Sequence, residues 1–230
     1  MFSLRRTPLY FAVAAAAASL GPQALAQDDG GKQLLEEVIT IGTRSTKPRT
    51  VTDSPVPVDV FGGDEFNSLG NSADVTDNLK TLVPSYTASP ATGDGSAFVR
   101  PTSLRGMAPD QTLVLINGKR RHRSALVHFF APAAGNGAHA PDVGMIPNIA
   151  IKNVEVLRDG AAAQYGSDAI AGVINFNMKD DAEGGALMVQ YGEFFDGEQS
   201  QKIAGNVGFP VGDNGFINMS LEHKIGRAHV

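Results

Sequence analysis

Apolar and polar positions follow different rhythms along the chain, and each change of rhythm marks a boundary. Leu9 to Leu20 is one apolar segment behind Arg5 and Arg6, closed by Ala24-Leu25-Ala26. Residues 27 to 55 are polar and contain proline, with a single apolar alternation at Val38-Ile39-Thr40-Ile41. From Val56 to about Asp181 the pattern is that of a compact mixed domain. VPVDVF predicts a short strand. Asp64 and Ser72 supply polar starts for one or two helices, and Val75, Leu79, Leu82 and Val83 share a helical face that stops before Pro84. Leu113 to Ile116 is an uninterrupted apolar run ended by Asn117-Gly118, which predicts a strand buried on both faces followed by a tight turn. Ser89 to Pro101 and about 130 to 144 are low in charge, contain glycine, and predict loops. Pro147 to Asn153 predicts a turn or short helix. Val154, Val156 and Leu157, then Val173, Ile174 and Phe176, predict two strands of one sheet.

Beyond Gly184 the period becomes two. Phe216, Asn218 and Ser220 alternate with Ile217, Met219 and Leu221, between turns made of Asp, Gly and Asn. This rhythm fits membrane-barrel strands and equally fits soluble hairpins. A barrel must close, because open edges leave backbone groups unpaired in lipid, and two or three strands cannot close one.

Composition removes several chemistries. The 230 residues carry a net charge of -5 and no cysteine, so neither general nucleic-acid binding nor thiolate chemistry has support. The N-terminal pattern is that of a secretory signal peptide over residues 1–26, cut after Ala26, and its apolar run is shorter than a membrane-spanning helix. The protein is therefore expected to work outside the cytoplasm.

The stretch VEVLRDGAAAQYGSDAIAGVINF, Val154 to Phe176, looks like a phosphate cradle but lacks its chemistry. The spacing of Gly160, Gly166 and Gly172 is not G-x-G-x-x-G, and no lysine and hydroxyl follow as a P-loop requires. Packing explains it better. Asp159 is expected to cap a helix starting near Ala161, while the alanines and glycines permit close backbone approach. His122, His128 and His139 lack metal-site spacing, and no nucleophile elbow surrounds Ser124 or Ser167. No enzyme, cofactor or metal is expected. The basic run Lys119, Arg120, Arg121, His122 and Arg123 suits an anionic ligand or wall carboxylates, and equally a solvated hairpin end.

Taken in order, these segments resemble the N-terminal part of TonB-dependent outer-membrane receptors. The likeness rests on LEEVITIGTR (35–44), on Leu104-Arg105-Gly106-Met107 followed by a strand and Asn117-Gly118, and on VEVLRDG, AQYG and AIAGVIN. It implies an α+β plug domain over 56–181, with a small mixed β-sheet and short helices. The first strands of an incomplete transmembrane β-barrel would follow at 185–224.

The resemblance also implies a flexible tether over 27–55 carrying the TonB box Glu37, Val38, Ile39, Thr40 and Ile41. This segment would be handed to the periplasmic TonB protein as an added strand. The implied plug-motif residues are Arg105, Gly106, Arg158, Asp159, Gly160, Tyr165, Gly166 and Gly172, with Arg105 and Arg158 pairing barrel-wall carboxylates. Lys119, Arg120, Arg121 and Arg123 become ligand-facing candidates, beside the loops about 88–100 and 129–144. The partners are TonB, a small solute or metal chelate, and outer-membrane lipid. The implied function is energy-coupled uptake of a scarce solute such as a ferric siderophore, gated by the plug. The alternative is a secreted plug-like binding module without a pore. IGRAHV, 225–230, interrupts the alternation and resembles translated adapter sequence, so the chain is expected to be a fragment with a foreign tail.

Overall fold

The computed structural model describes residues 38–42, 49–54, 56–69, 74–88, 95–128, 135–193, 199–213 and 215–226. The expected signal peptide and Glu37 lie outside these residues.

A five-stranded mixed sheet is the centre of the molecule, with strand order β3-β8-β9-β6-β7. Its strands are β3 (Val58–Gly62), β6 (Thr112–Ile116), β7 (Lys119–Arg120), β8 (Ile151–Leu157) and β9 (Gly172–Met178). β6 and β9 run parallel, Val114 beside Ile174, while β8 lies antiparallel to both β3 and β9. Of the expected all-apolar strand, Val114 is buried in one hydrophobic cluster and Leu113 and Leu115 in the other, so both faces are covered there, and Ile116 is half-buried. Asn117 and Gly118, with φ of 49° and 73°, make the tight turn into β7.

One face of the sheet packs beneath helices α1 (Gly63–Ser68) and α2 (Val75–Leu82). Phe66, Val75, Leu79 and Val83 meet Val114, Val154, Ile174 and Phe176 there. The helix starts differ from expectation. α1 follows Gly62 without a side-chain cap, its Asp64 lying in the first turn, and α2 is capped by Asp74, whose carboxylate accepts from the Thr76 amide at 3.0 Å. Ser72 lies outside the described residues. A two-stranded ribbon, β4 (Tyr86–Ala88) with β5 (Thr102–Leu104), flanks this core. The expected loop between them contains the one-turn helix α3, Ser96–Val99.

The chain then leaves the plug and forms a three-stranded antiparallel sheet, β10 (Gly185–Glu193), β11 (Gln199–Val211) and β12 (Gly215–Gly226). Its buried face is polar or small: Lys202, Ala204 and Asn206. Lys202 Nζ sits 3.1 Å from Glu222 Oε2. The opposite face exposes Leu187, Val189, Ile203, Phe209, Met219 and Leu221. A soluble hairpin would bury these side chains, so the pattern is that of a barrel wall seen from lipid. Among the described residues no helix is long and apolar enough to cross a membrane.

The supposed foreign tail begins inside β12. Ile225 and Gly226 pair with Gln201 and Ser200, because the backbone ladder continues whatever side chains it carries. Residues 227–230 lie outside the described residues.

Candidate functional site

The second face of the plug sheet is partly polar, and a segment from the N-terminal side covers it. Glu155 on β8 and Asn175 on β9 stand directly opposite one another, with Asn153 and Asn177 as the next pair on that face. Glu155 and Asn175 are fully buried. Asn175 Nδ2 donates to Glu155 Oε2 at 3.3 Å and Asn177 Nδ2 to Glu155 Oε1 at 3.0 Å. A buried carboxyl group needs hydrogen-bond partners for its oxygens.

Thr40 completes the set. Its backbone N–H donates to Glu155 Oε1 at 3.0 Å and its hydroxyl to Oε2 at 2.8 Å. On either side, Ile39 and Ile41 are only 3% and 1% exposed, seated among Val58, Leu113, Leu115, Leu157 and Val173. The Gly42 N–H donates to the Tyr165 hydroxyl at 3.2 Å. Val38 and Ile39 also form β1, antiparallel to β2 (Arg49–Thr50).

A free tether remote from the plug core does not describe residues 38–42. Two buried isoleucines and a satisfied carboxylate hold them to the sheet, because apolar 39 and 41 with a donor at 40 match a face that offers apolar walls around a buried acceptor. Sequence reading missed Glu155, Asn175 and Asn177 as partners. The available signal was a polar strip, Glu155 in one apolar strand and Asn175-x-Asn177 in the other, which had to find donors or acceptors once buried.

The other motif residues fall into two groups. Arg105 and Gly106, with φ of 56° and 69°, form a turn closed by the Met107 amide on the Leu104 carbonyl. Arg105 donates to the carbonyls of Ala171 (3.1 Å) and Ile170 (2.7 Å) and lies 3.7 Å from Asp159. Arg158 pairs with Asp59 at 2.7 Å. Both arginines thus have partners within the plug.

Asp159 does not cap a helix. The helix α4, Ala162–Tyr165, follows Ala161 without a side-chain cap, and Asp159 Oδ1 instead accepts from Gly160 N–H at 2.7 Å. Asp159 stands too far before the helix to reach its second or third amide. Gly160 is not at positive φ and has open space but for the Ile170 carbonyl, 3.2 Å from where a Cβ would lie. Gly166 has φ 101° and Gly172 has φ 138°. Gly172 is the position where glycine is indispensable: a Cβ would strike the Leu157 carbonyl oxygen and lie 2.8 Å from Leu104 Cδ1.

The basic run lies along the sheet edge. Lys119 is exposed beside the turn, Arg120 bonds the Asp168 carboxylate and the Tyr165 carbonyl, and Arg121 Nε donates to the Asp142 carbonyl at 2.6 Å. The Arg123 backbone bridges to Pro141. Arg120, Arg121, Arg123, His122 and His139 line a cleft of about 310 Å³ together with Asp110 and Asp168. The structure therefore brings the three arginines to one cleft and leaves Lys119 apart from it. The His139 ring meets the Ser124 carbonyl and the His128 backbone pairs with Ala138, so the three histidines do not converge. Among the described residues no group of His, Asp or Glu is arranged to hold a metal ion.

Known proteins agree with this architecture. The family model described as TonB-dependent Receptor Plug Domain matches residues 50–173. The ferric enterobactin receptor PirA of Pseudomonas aeruginosa is 29% identical over 182 residues, covering 76% of this chain and 24% of that protein. The iron-regulated outer membrane virulence protein of Vibrio cholerae is 33% identical over 136 residues, covering 59% of this chain and 19% of that protein. Among solved structures, a mutant ferric enterobactin receptor of P. aeruginosa in complex with enterobactin aligns with a TM-score of 0.60 at 23% identity, covering 76% of this chain and 25% of that one. The siderophore receptor PirA of Acinetobacter baumannii aligns at 0.55 and 24% identity, with the same coverage of both chains. The structural likeness shows the fold, and the chain spans about a fifth to a quarter of the length of these relatives. With the plug model matching more than half of its residues, a mixed plug sheet and wall strands that turn their apolar side outward, the chain belongs to the TonB-dependent receptor plug family of the bacterial outer membrane.

Proposed function

We propose that this chain is the plug and first wall strands of a receptor for energy-coupled uptake of a ferric siderophore, with residues 37–41 as the strand handed to periplasmic TonB. The observation that carries the reading is the seat of Ile39, Thr40 and Ile41 on the plug sheet. A segment with alternate anchors and a short strand of its own is suited to strand addition, in which backbone bonds give grip and alternate side chains give register. Its attachment to β8 and β9 through Glu155 and Asn175 means that a pull on it is felt first by the central sheet. The names of the relatives point to ferric enterobactin as the first solute to try. The loops about 88–100 and 129–144 and the arginine cleft are the proposed solute-facing parts, and plug displacement is the proposed gate.

Uptake of radioiron-labelled enterobactin by cells producing the receptor, with and without TonB, tests this reading. Accumulation is expected only with TonB, and surface binding is expected in both strains. Ile39→Pro should abolish accumulation, since proline removes the backbone donor at the paired position, whereas Thr46→Pro should be tolerated. Accumulation that persists without TonB overturns the proposal.

A further inference from the structure

Arg100 is 5% exposed and adopts φ 53°, a left-handed conformation that a residue with a side chain keeps only when its surroundings hold it. The holding groups are all in the first turn of α2 or its cap. Arg100 Nε lies 3.2 Å from Asp74 Oδ2, Nη2 lies 3.1 Å from Asp77 Oδ1, and Nη2 donates to Thr76 Oγ1 at 2.9 Å. A planar guanidinium can satisfy three such acceptors at once, which a lysine ammonium cannot do in the same geometry.

This anchoring is more than a four-residue helix needs. Its second effect is on the backbone beside it. The Val99 carbonyl accepts from the amides of Val143 (3.2 Å) and Gly144 (3.5 Å), so a segment more than 40 residues away is laid against α3. Gly144 fits flat on the Arg100 stem: a Cβ there would lie 2.9 Å from Arg100 Cγ and 3.2 Å from the Phe98 carbonyl oxygen. The two segments joined in this way carry Phe98 and Met145, which are 80% and 71% exposed. Large apolar side chains held outward on a fixed base are poised for contact rather than for core packing.

We propose that Arg100 is a positioning residue that locks residues 95–101 and 142–146 into one rigid platform presenting Phe98 and Met145 to the solute. The solute-facing role of the platform rests on the uptake reading above; the lock itself does not. Removing the guanidinium releases Arg100 from its left-handed conformation, frees the Val99 carbonyl, and lets both segments move.

Amide exchange in the membrane-embedded receptor, read alongside ferric enterobactin binding, tests this. In Arg100→Ala the amides of 95–101 and 142–146 should exchange together at least roughly tenfold faster, with β6 and β9 unchanged, and Arg100→Lys should fall between. Gly144→Ala approaches the same junction from the other segment, pressing on the Arg100 stem while every charged group is retained, and should loosen 95–101 and 142–146 too. Affinity for ferric enterobactin should weaken roughly tenfold in Arg100→Ala, the scale of a lost charge-assisted hydrogen-bond set. Faster exchange confined to 95–101, or spread evenly through β6 and β9, overturns the lock. Loosened loops with unchanged affinity overturn the positioning role. A wild-type receptor that does not bind ferric enterobactin refutes the choice of solute, while the exchange pattern still decides the lock.

Discussion

The plug sheet and the wall sheet solve opposite problems with the same backbone. In the plug, Leu113, Val114, Leu115, Val173 and Ile174 are buried, and the buried Glu155 and Asn175 are paired with one another. In the wall, Leu187, Val189, Met219 and Leu221 are exposed, while Lys202 and Asn206 are buried. An apolar side chain in the first sheet is there to leave water, and in the second to meet lipid. Apolar content alone therefore says nothing of which side is inside. The distinguishing feature is what stands opposite: unbroken apolar runs where both faces are covered by protein, strict alternation where one face is covered and the other is not.

The sharpest way to break the plug side of this comparison is Gly172→Val. The new side chain collides with the Leu157 carbonyl and Leu104 at a φ that valine does not adopt, so a loss of about 4 kcal/mol or more is expected. Folded receptor abundance in the outer membrane should collapse. Gly160→Ala, with no positive φ and one neighbour, should change stability by less than about 1 kcal/mol, and equal damage at both positions would show that turn geometry is not the cause.

A paired charge scan separates the two sheets next. Ile174→Arg places an unpaired charge in the plug core and should prevent folding in any solvent, whereas Met219→Arg should cost roughly 2–4 kcal/mol in a bilayer and far less in detergent. Urea unfolding in lipid vesicles and in micelles makes the comparison. Equal sensitivity of Met219→Arg in both would mean that this face meets protein and not lipid.

The smallest effect concerns the place where the plug sheet resembles the wall, its polar strip. Thr40→Val keeps the shape and removes the hydroxyl bonds to Glu155, for an expected loss of about 1 kcal/mol in the seating of 38–42. The chain has no cysteine, so a single cysteine at Ile41 gives an unambiguous labelling reporter. Labelling should rise several-fold with Thr40→Val, and an unchanged rate would remove Thr40 from the interactions holding the segment.

The central strands and the wall period were legible because periodicity records burial directly. Leu113 to Ile116 announced a doubly covered strand, and Ile217, Met219 and Leu221 a one-sided one. The N-terminal segment was not legible as seated, because Ile39 and Ile41 stand alone in a polar tract and the wall they meet, Leu157 and Val173, lies far along the chain. Asp159 misled for a related reason: a capping residue is recognised by its distance from the helix start, and the helix begins later than composition suggests. Arg100 offered no signal at all, since its partners Asp74 and Asp77 are an ordinary helix cap and an ordinary first-turn acid until the fold brings a guanidinium to them.

The bond from Thr40 to Glu155 spans 115 positions. The seat is incomplete until β8 and β9 have been made, exported and paired, and closing so long a chain is slow compared with forming its local hairpins. The segment nearest the N-terminus is therefore among the last to find its place, although it is among the first to emerge. Seating of residues 38–42 thus certifies a finished sheet: a plug with an unpaired β9 cannot hold it, and an assembly defect near Asn175 would announce itself at the opposite end of the sequence.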